Sequence, residues 1–320
     1  MDIPWVRFVS QTGVYLTFAL CLAWAARRGA REWAPLLGAF LYAVLFEHWN
    51  MLRYAQVQGG YHYHVSSWLW VWGDVPLYIP LAWAFILATS RAITDQLRLP
   101  FWARPCSDAL LALLIDASMD AVAIRLRFWY WHGVGLQEGF FGVPADNFLG
   151  WLLVTLTFSA LTRWLWARVE RASEVDASPR SRWPAIGTLA QFVAVPPLAY
   201  GAYLVLEAVV HLQYGLFRVR TLHGQLLVLA GVVALFMALV AIGLRRRVDA
   251  AGSRDAPAGR GFATHAPRHI FHFFGLLGLL CVPANLRSPA LWSLAGGVWA
   301  IELAVALFAG RSAWQARERN

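Results

Sequence analysis

A chain of 320 residues is long enough for one or two soluble domains, but 59% of it is hydrophobic and only 14% is charged, against about 25% in a soluble domain. So few charges cannot cover a water-facing surface of this size, which predicts an integral membrane protein. The net charge of +9 rests on 27 basic residues, every one an arginine, and they sit between apolar runs, where they report membrane orientation rather than nucleic-acid binding.

A hydrocarbon core about 30 Å thick needs roughly 17–25 apolar residues in each crossing helix. Nine runs qualify, at about 8–26, 34–52, 66–90, 107–124, 147–166, 186–211, 222–244, 268–284 and 289–310. The fold class expected is therefore all-α, a polytopic transmembrane helical bundle of about nine spans in one domain over 1–320. The count falls to seven or eight if a hairpin is re-entrant. The first run lacks the basic flank and small-residue cleavage site of a secretory signal and reads as a retained span. The Gly/Ala/Arg/Pro stretch 245–267 reads as a flexible cytoplasmic loop. Cys21, Cys106 and Cys281 lack metal-type or disulfide spacing and read as packing residues. When arginines at span ends are given to the adjacent loop, 20 fall on one side and 7 on the other. Basic residues favour the cytoplasmic side, so the N-terminus is expected outside and the C-terminus inside, in the cytoplasmic (inner) membrane.

An ionisable side chain in a span costs about 2.5–3.5 kcal/mol on insertion scales, so each one calls for a reason. Glu47, in the second run, lies twelve residues past Pro35, about 18 Å along a helix and beyond the midplane. The third run opens near Gly60-Tyr61-His62-Tyr63-His64 and is expected to carry Asp74, with Pro76 and Pro80 as kinks. Asp116 and Asp120, four apart in the fourth run, share one helix face. Two carboxylates one turn apart in an apolar span must either share a proton or bind a cation. The fifth run opens with Gly142-Val143-Pro144-Ala145-Asp146-Asn147, where Asp146 reads as a site residue or as the cap of that helix. Glu207 and His211, one turn apart in the sixth run, read as site residues or as a structural interface pair. His62 and His64 read as solvated loop residues rather than metal ligands, and no metal site is expected. Glu302, deep in the last run, reads as a helix–helix hydrogen-bond partner. The arginine orientation puts Glu47, Asp74, Asp120, Asp146, Asn147, Glu207 and His211 in the outer half, with Asp116 near the midplane. That one-sidedness predicts a single polar cavity opening outwards or into the outer leaflet.

Three segments carry a family likeness. Asp116-Ala-Ser-Met-Asp120, then Trp129-Tyr130-Trp131, then Gly142-Val143-Pro144-Ala145-Asp146-Asn147-Phe148-Leu149-Gly150-Trp151 resemble the membrane-bound carotenoid hydratase family, whose members act on bacterioruberin-type precursors and monocyclic carotenes. Glu47, Gly60-Tyr61-His62-Tyr63, Pro76-Leu77 and Trp83 match it more loosely. Departures are Ala121 where the family has Pro, Asp146 where an apolar residue is usual, and His48-Trp49-Asn50 after Glu47. The resemblance implies addition of water to an isolated terminal C=C of a carotenoid, with no organic cofactor and no redox change. The residues suit that chemistry. Protonating an alkene needs a carboxylic acid that keeps its proton near neutral pH, as burial in apolar surroundings allows, and Asp116 and Asp120 are the candidates. The tertiary carbocation that follows is held by aromatic faces, worth about 2 kcal/mol when dry, from Trp129, Tyr130, Trp131, Trp151, Tyr61 and Tyr63. A water is then deprotonated by Glu47, by Asp146 with Asn147, or by His211. Asp74, Glu207 and His211 are further expected at the substrate. The partners implied are a lipid-soluble polyene and the bilayer, with no cofactor and no nucleic acid; nothing in the sequence bears on oligomeric state. A terpene or carotenoid cyclase shares the protonation step and stays open as the alternative. A prenyltransferase of the Asp-x-x-x-Asp type would need a second Asp-rich motif, and a proton-coupled transporter would show inverted repeats; neither is visible.

Overall fold

The computed structural model describes residues 4–55, 59–64, 69–176, 181–216, 221–246 and 262–317. Among the described residues ten α-helices make up the bundle: α1 (Pro4–Ala26), α2 (Ala30–Tyr54), α3 (Tyr78–Gln96), α4 (Arg104–Arg125), α5 (Ala145–Val175), α6 (Trp183–Val193), α7 (Val195–Leu216), α8 (Leu222–Arg245), α9 (Phe262–Cys281) and α10 (Pro289–Arg317). Two short strands, β1 (Tyr61–Tyr63) and β2 (Trp129–Trp131), pair antiparallel at one end. Most of the loop expected to be flexible, residues 247–261, lies outside the described residues.

Five helices among the described residues are long and apolar enough to cross a membrane: α1, α5, α7, α8 and α10. The protein is thus an all-helical membrane protein. α3 and α4 form its centre, α4 packing against α3, α5, α8, α9 and α10. They carry the polar groups that lower their hydropathy, and those groups are buried by their neighbours rather than offered to lipid. α8 is the reverse case, with Leu227, Leu235 and Met237 exposed on the outside of the bundle, where apolar surface is stable only against hydrocarbon.

Two apolar runs do not become the single helices expected of them. Residues 66–68 of the run 66–90 lie outside the described residues, and from Leu69 on it is helical only from Tyr78. Ahead of it, Val71 N–H donates to Val75 at 3.0 Å and Leu77 N–H to Leu69 at 2.9 Å, closing a tight excursion around Gly73, whose φ is +58°. Pro76 has no N–H to continue a helix, and Pro80 falls in the first turn of α3, where no partner for its N–H would exist anyway; it is not a kink. Asp74 therefore sits in an exposed turn and not in a span. The run 186–211 breaks at Ala194 into α6 and α7, because Pro196 and Pro197 fit the first turn of a new helix but would leave carbonyls of a continuous one without donors.

Two ionic clusters lock the bundle away from the strands. Arg163 on α5 reaches Asp95 on α3 at 2.6 Å and makes a forked contact with Asp108 on α4 at 2.9 and 3.0 Å, while Ser159 also donates to Asp108. Arg268 on α9 pairs with Glu302 on α10 and donates to Ser90 at 2.8 Å and to the Leu111 carbonyl at 2.5 Å. Glu302 is thus a helix–helix partner, with an arginine on the other side.

Candidate functional site

The site begins with alternation. In a strand successive side chains point to opposite faces, so Tyr-His-Tyr and Trp-Tyr-Trp each put their outer two rings on one side. The register Tyr61↔Trp131, His62↔Tyr130 and Tyr63↔Trp129 aligns those rings as a four-membered aromatic wall facing inwards. His62 and Tyr130 are left on the far face, stacked at 5.4 Å, with His62 Nε2 3.1 Å from the Ala55 carbonyl. His62 therefore lies in β1, not in a loop, and has protein partners on its outer face. Among the described residues no group of three or more His, Cys, Asp or Glu side chains is arranged to hold a metal ion.

The tyrosines of this wall converge on Glu47. Tyr61 and Tyr63 donate to its Oε2 at 2.5 and 2.7 Å, and Trp83 Nε1 on α3 donates to Oε1 at 2.7 Å. Those lengths are typical of bonds to an ionised acceptor, and three converging donors suit a carboxylate. Trp83 in turn packs on Trp151 of α5, ring centroids 3.9 Å apart.

Asp116 and Asp120 do share one face of α4, and the motif that opens α5 meets them there. Gly142 adopts φ +88°, and a Cβ on it would come within 3.0 Å of the Leu136 backbone, so the turn requires glycine. Arg125 clamps the loop by donating to the Phe141 and Leu136 carbonyls at 2.7 and 3.1 Å. Pro144 then starts the helix, and Asn147 is placed in its first turn. The Asn147 amide nitrogen lies 3.1 Å from Asp116 Oδ2 and 2.8 Å from Asp120 Oδ2. The Asn147 amide thus bridges the two buried carboxyl groups from α5.

A cavity of about 650 Å³ joins these parts. Glu47, Tyr61, Tyr63, Asp120, Trp129, Trp131, Asp146, Asn147, Trp151, Glu207 and His211 all line it. Asp116 is behind the wall, fully buried and connected through Asn147 and Asp120. Asp74 is not among the lining residues. Asp146 does not cap α5: the helix has no side-chain cap, and its carboxylate accepts from Tyr214 at 3.0 Å. Glu207 is held by Arg53 at 2.9 Å and by Tyr54 and Tyr203, each at 2.6 Å. Tyr54 and Tyr203 escaped the sequence reading, although helical spacing pointed to both. Tyr54 is two turns after Glu47 on the same face, and Tyr203 is one turn before Glu207.

The fold and cavity together define a polytopic membrane protein with a carboxylate-lined, aromatic-walled site inside an apolar bundle. Residues 9–218, about two thirds of the chain, match the carotenoid biosynthesis protein family, and the chain belongs to that family. Every lining residue of the cavity except Gln225 falls within the matched segment. No curated protein and no solved structure gives a significant match. Membership supports a role as an enzyme of carotenoid biosynthesis.

Proposed function

We propose that this protein is a carotenoid hydratase, adding water to an isolated terminal C=C of a carotenoid taken from the bilayer. The observation that carries the reading is the buried Asp116–Asp120 pair, both bonded by the Asn147 amide, with Asp120 on a cavity wall that also holds Glu47; we take the pair to share one proton. Asp120 gives the shared proton to the less substituted alkene carbon, and the neighbouring carbon becomes a tertiary cation. Faces of Trp129, Trp131 and Trp151 surround that charge. A water adds to it, and Glu47 takes the proton released. One C–H and one C–O bond form, the sum of one water, and the proton returns to the aspartate pair through cavity water. Asp116 acts through Asp120. Asp146, His211 and Asn147 hold the water, while Glu207, already paired with Arg53, shapes the wall. A cyclase has to keep water from the cation; the carboxylates and tyrosine hydroxyls of this cavity attract it, which favours hydration.

Pigments extracted from a carotenoid-producing bacterial host expressing the protein test this. A product heavier by one water is expected. An isomer of equal mass would assign cyclisation, and unchanged pigments would remove both readings.

The nine-span arrangement in one domain, N-terminus outside and C-terminus inside the cytoplasmic membrane, belongs to the same proposal. Its support is the arginine asymmetry, which persists when the buried Arg7, Arg125, Arg163 and Arg268 are set aside. Reporter fusions at residues 175 and 255 are expected to read cytoplasmic; a periplasmic signal at either would overturn this topology.

A further inference from the structure

A second cavity adjoins the first. It measures about 100 Å³, is enclosed mainly by α1, α3, α4 and α9, and its lining is apolar apart from a few side chains. Five residues, Ile79, Trp83, Asp120, Trp129 and Trp151, line both cavities, so the partition between them is one side chain thick. Asp120 is the only ionisable member of that partition. Trp83 is fixed within it by its bond to Glu47 and its packing on Trp151.

Close approaches at two glycines shape the small chamber. A Cβ on Gly13 would lie 2.6 Å from the Phe274 ring, and one on Gly275 would overlap the Met119 sulfur. On its outer side the chamber reaches the lipid-facing surface, because Ile270 of α9 lines it and is still 37% exposed. α9 also lies beyond residues 9–218, so this wall is built by a part of the chain outside the family match.

We infer that the small chamber binds the hydrocarbon chain of the polyene next to its reacting end, so that the substrate crosses the partition beside Asp120, its terminal alkene in the polar cavity and its following carbons in the apolar one. The inference rests on the hydratase reading for the identity of the substrate. Two requirements of that substrate conflict in a single space. The reacting carbons need an acid and a water, whereas the chain that follows them leaves hydrocarbon without loss only for a place where water is absent. Adjacent wet and dry compartments with the acid between them satisfy both. The exposed edge at Ile270 gives the remaining chain a way out into the bilayer between α1 and α9, so a long polyene need not be enclosed.

Ala82, on the chamber wall, allows a direct test. In purified protein, polyene binding is read by quenching of tryptophan fluorescence, and turnover is read separately with the polyene and with a five-carbon alkene that carries the same double bond and no chain beyond it. Ala82→Leu is expected to weaken polyene binding and turnover at least tenfold while changing turnover of the short alkene less than twofold. Met119→Ala, which empties space in the same chamber, is expected to restore most of the loss when combined with Ala82→Leu, a result that misfolding would not give. If the wild type binds the polyene with this Ala82 dependence but hydrates nothing, the chamber stands and the hydratase reading fails. Polyene binding unchanged in Ala82→Leu would assign the chamber to a membrane lipid chain and overturn the inference, as would equal losses with both substrates that Met119→Ala does not relieve.

Discussion

Asp120→Asn is expected to lower product formation by about 10²–10⁴-fold, the usual cost of removing a general acid, in protein that still inserts and folds. An amide keeps the volume and can still hydrogen-bond, but it has no proton to give an alkene. Asp120 touches the cavity and Asn147 at once, so the variant keeps its contact with α5 and loses only the acid function. Asp116→Asn is expected to be nearly as damaging for a different reason. Asp116 has no access to the cavity, and its part is to share the proton with Asp120 and hold it in place through Asn147. The double variant should be little worse than either single one, because residues that act as a unit do not add. Pigment yield per unit of folded protein, with folding checked by detergent-extracted monodispersity, measures all three. Near-normal yield from both single variants would make the pair structural.

The second large effect concerns stability. Arg163 bonds the carboxylates of both Asp95 and Asp108, and it is itself nearly inaccessible. Arg163→Met leaves the fully buried Asp108 without the cation that pairs with it, which costs about 3–5 kcal/mol when one partner of a buried pair is removed. Removing the second partner as well should recover a large part of that loss, so Arg163→Met with Asp108→Leu is expected to unfold at higher denaturant than Arg163→Met alone. Unfolding in mixed micelles measures both. A loss under about 1 kcal/mol in the single variant would show that the cluster adds little to stability.

The site is more legible in the sequence than the fold that holds it. A charge inside an apolar run is conspicuous because nothing but function or a partner keeps it there, so Glu47, Asp116, Asp120, Glu207 and His211 stand out and do line or adjoin one cavity. Asp74 is misplaced by the sequence because hydropathy reads an apolar run as membrane without regard to backbone: Leu69, Trp70, Val71 and Trp72 are apolar or aromatic, yet they fold back around Gly73 outside any helix. The strands are invisible for the opposite reason. Three residues each are too short for a periodicity, and only their pairing between positions 66 to 70 apart in the chain gives Tyr61, Tyr63, Trp129 and Trp131 a common face. The Arg163 and Arg268 clusters are hidden as well, since an arginine at the end of a run reads as a loop charge until its carboxylate partner on another helix is seen. The two proline-based features divide similarly. Pro196-Pro197 breaks the sixth run as proline chemistry requires, but Pro80 enters α3 at a position that the sequence does not mark as a helix start.

An acid and a base flanking one alkene would take both new atoms, the oxygen and the hydrogen on carbon, from solvent water. Membranes containing the protein, supplied with a carotenoid that carries an isolated terminal double bond, are incubated in water labelled with heavy oxygen and deuterium, and the pigment is examined by mass spectrometry. The expected product carries one solvent oxygen, retained through exchange as a tertiary alcohol, and one solvent hydrogen fixed to carbon on the adjacent position, and both labels disappear together in Asp120→Asn. A product with solvent hydrogen on carbon but no solvent oxygen, or a pigment that takes up neither, would contradict the account.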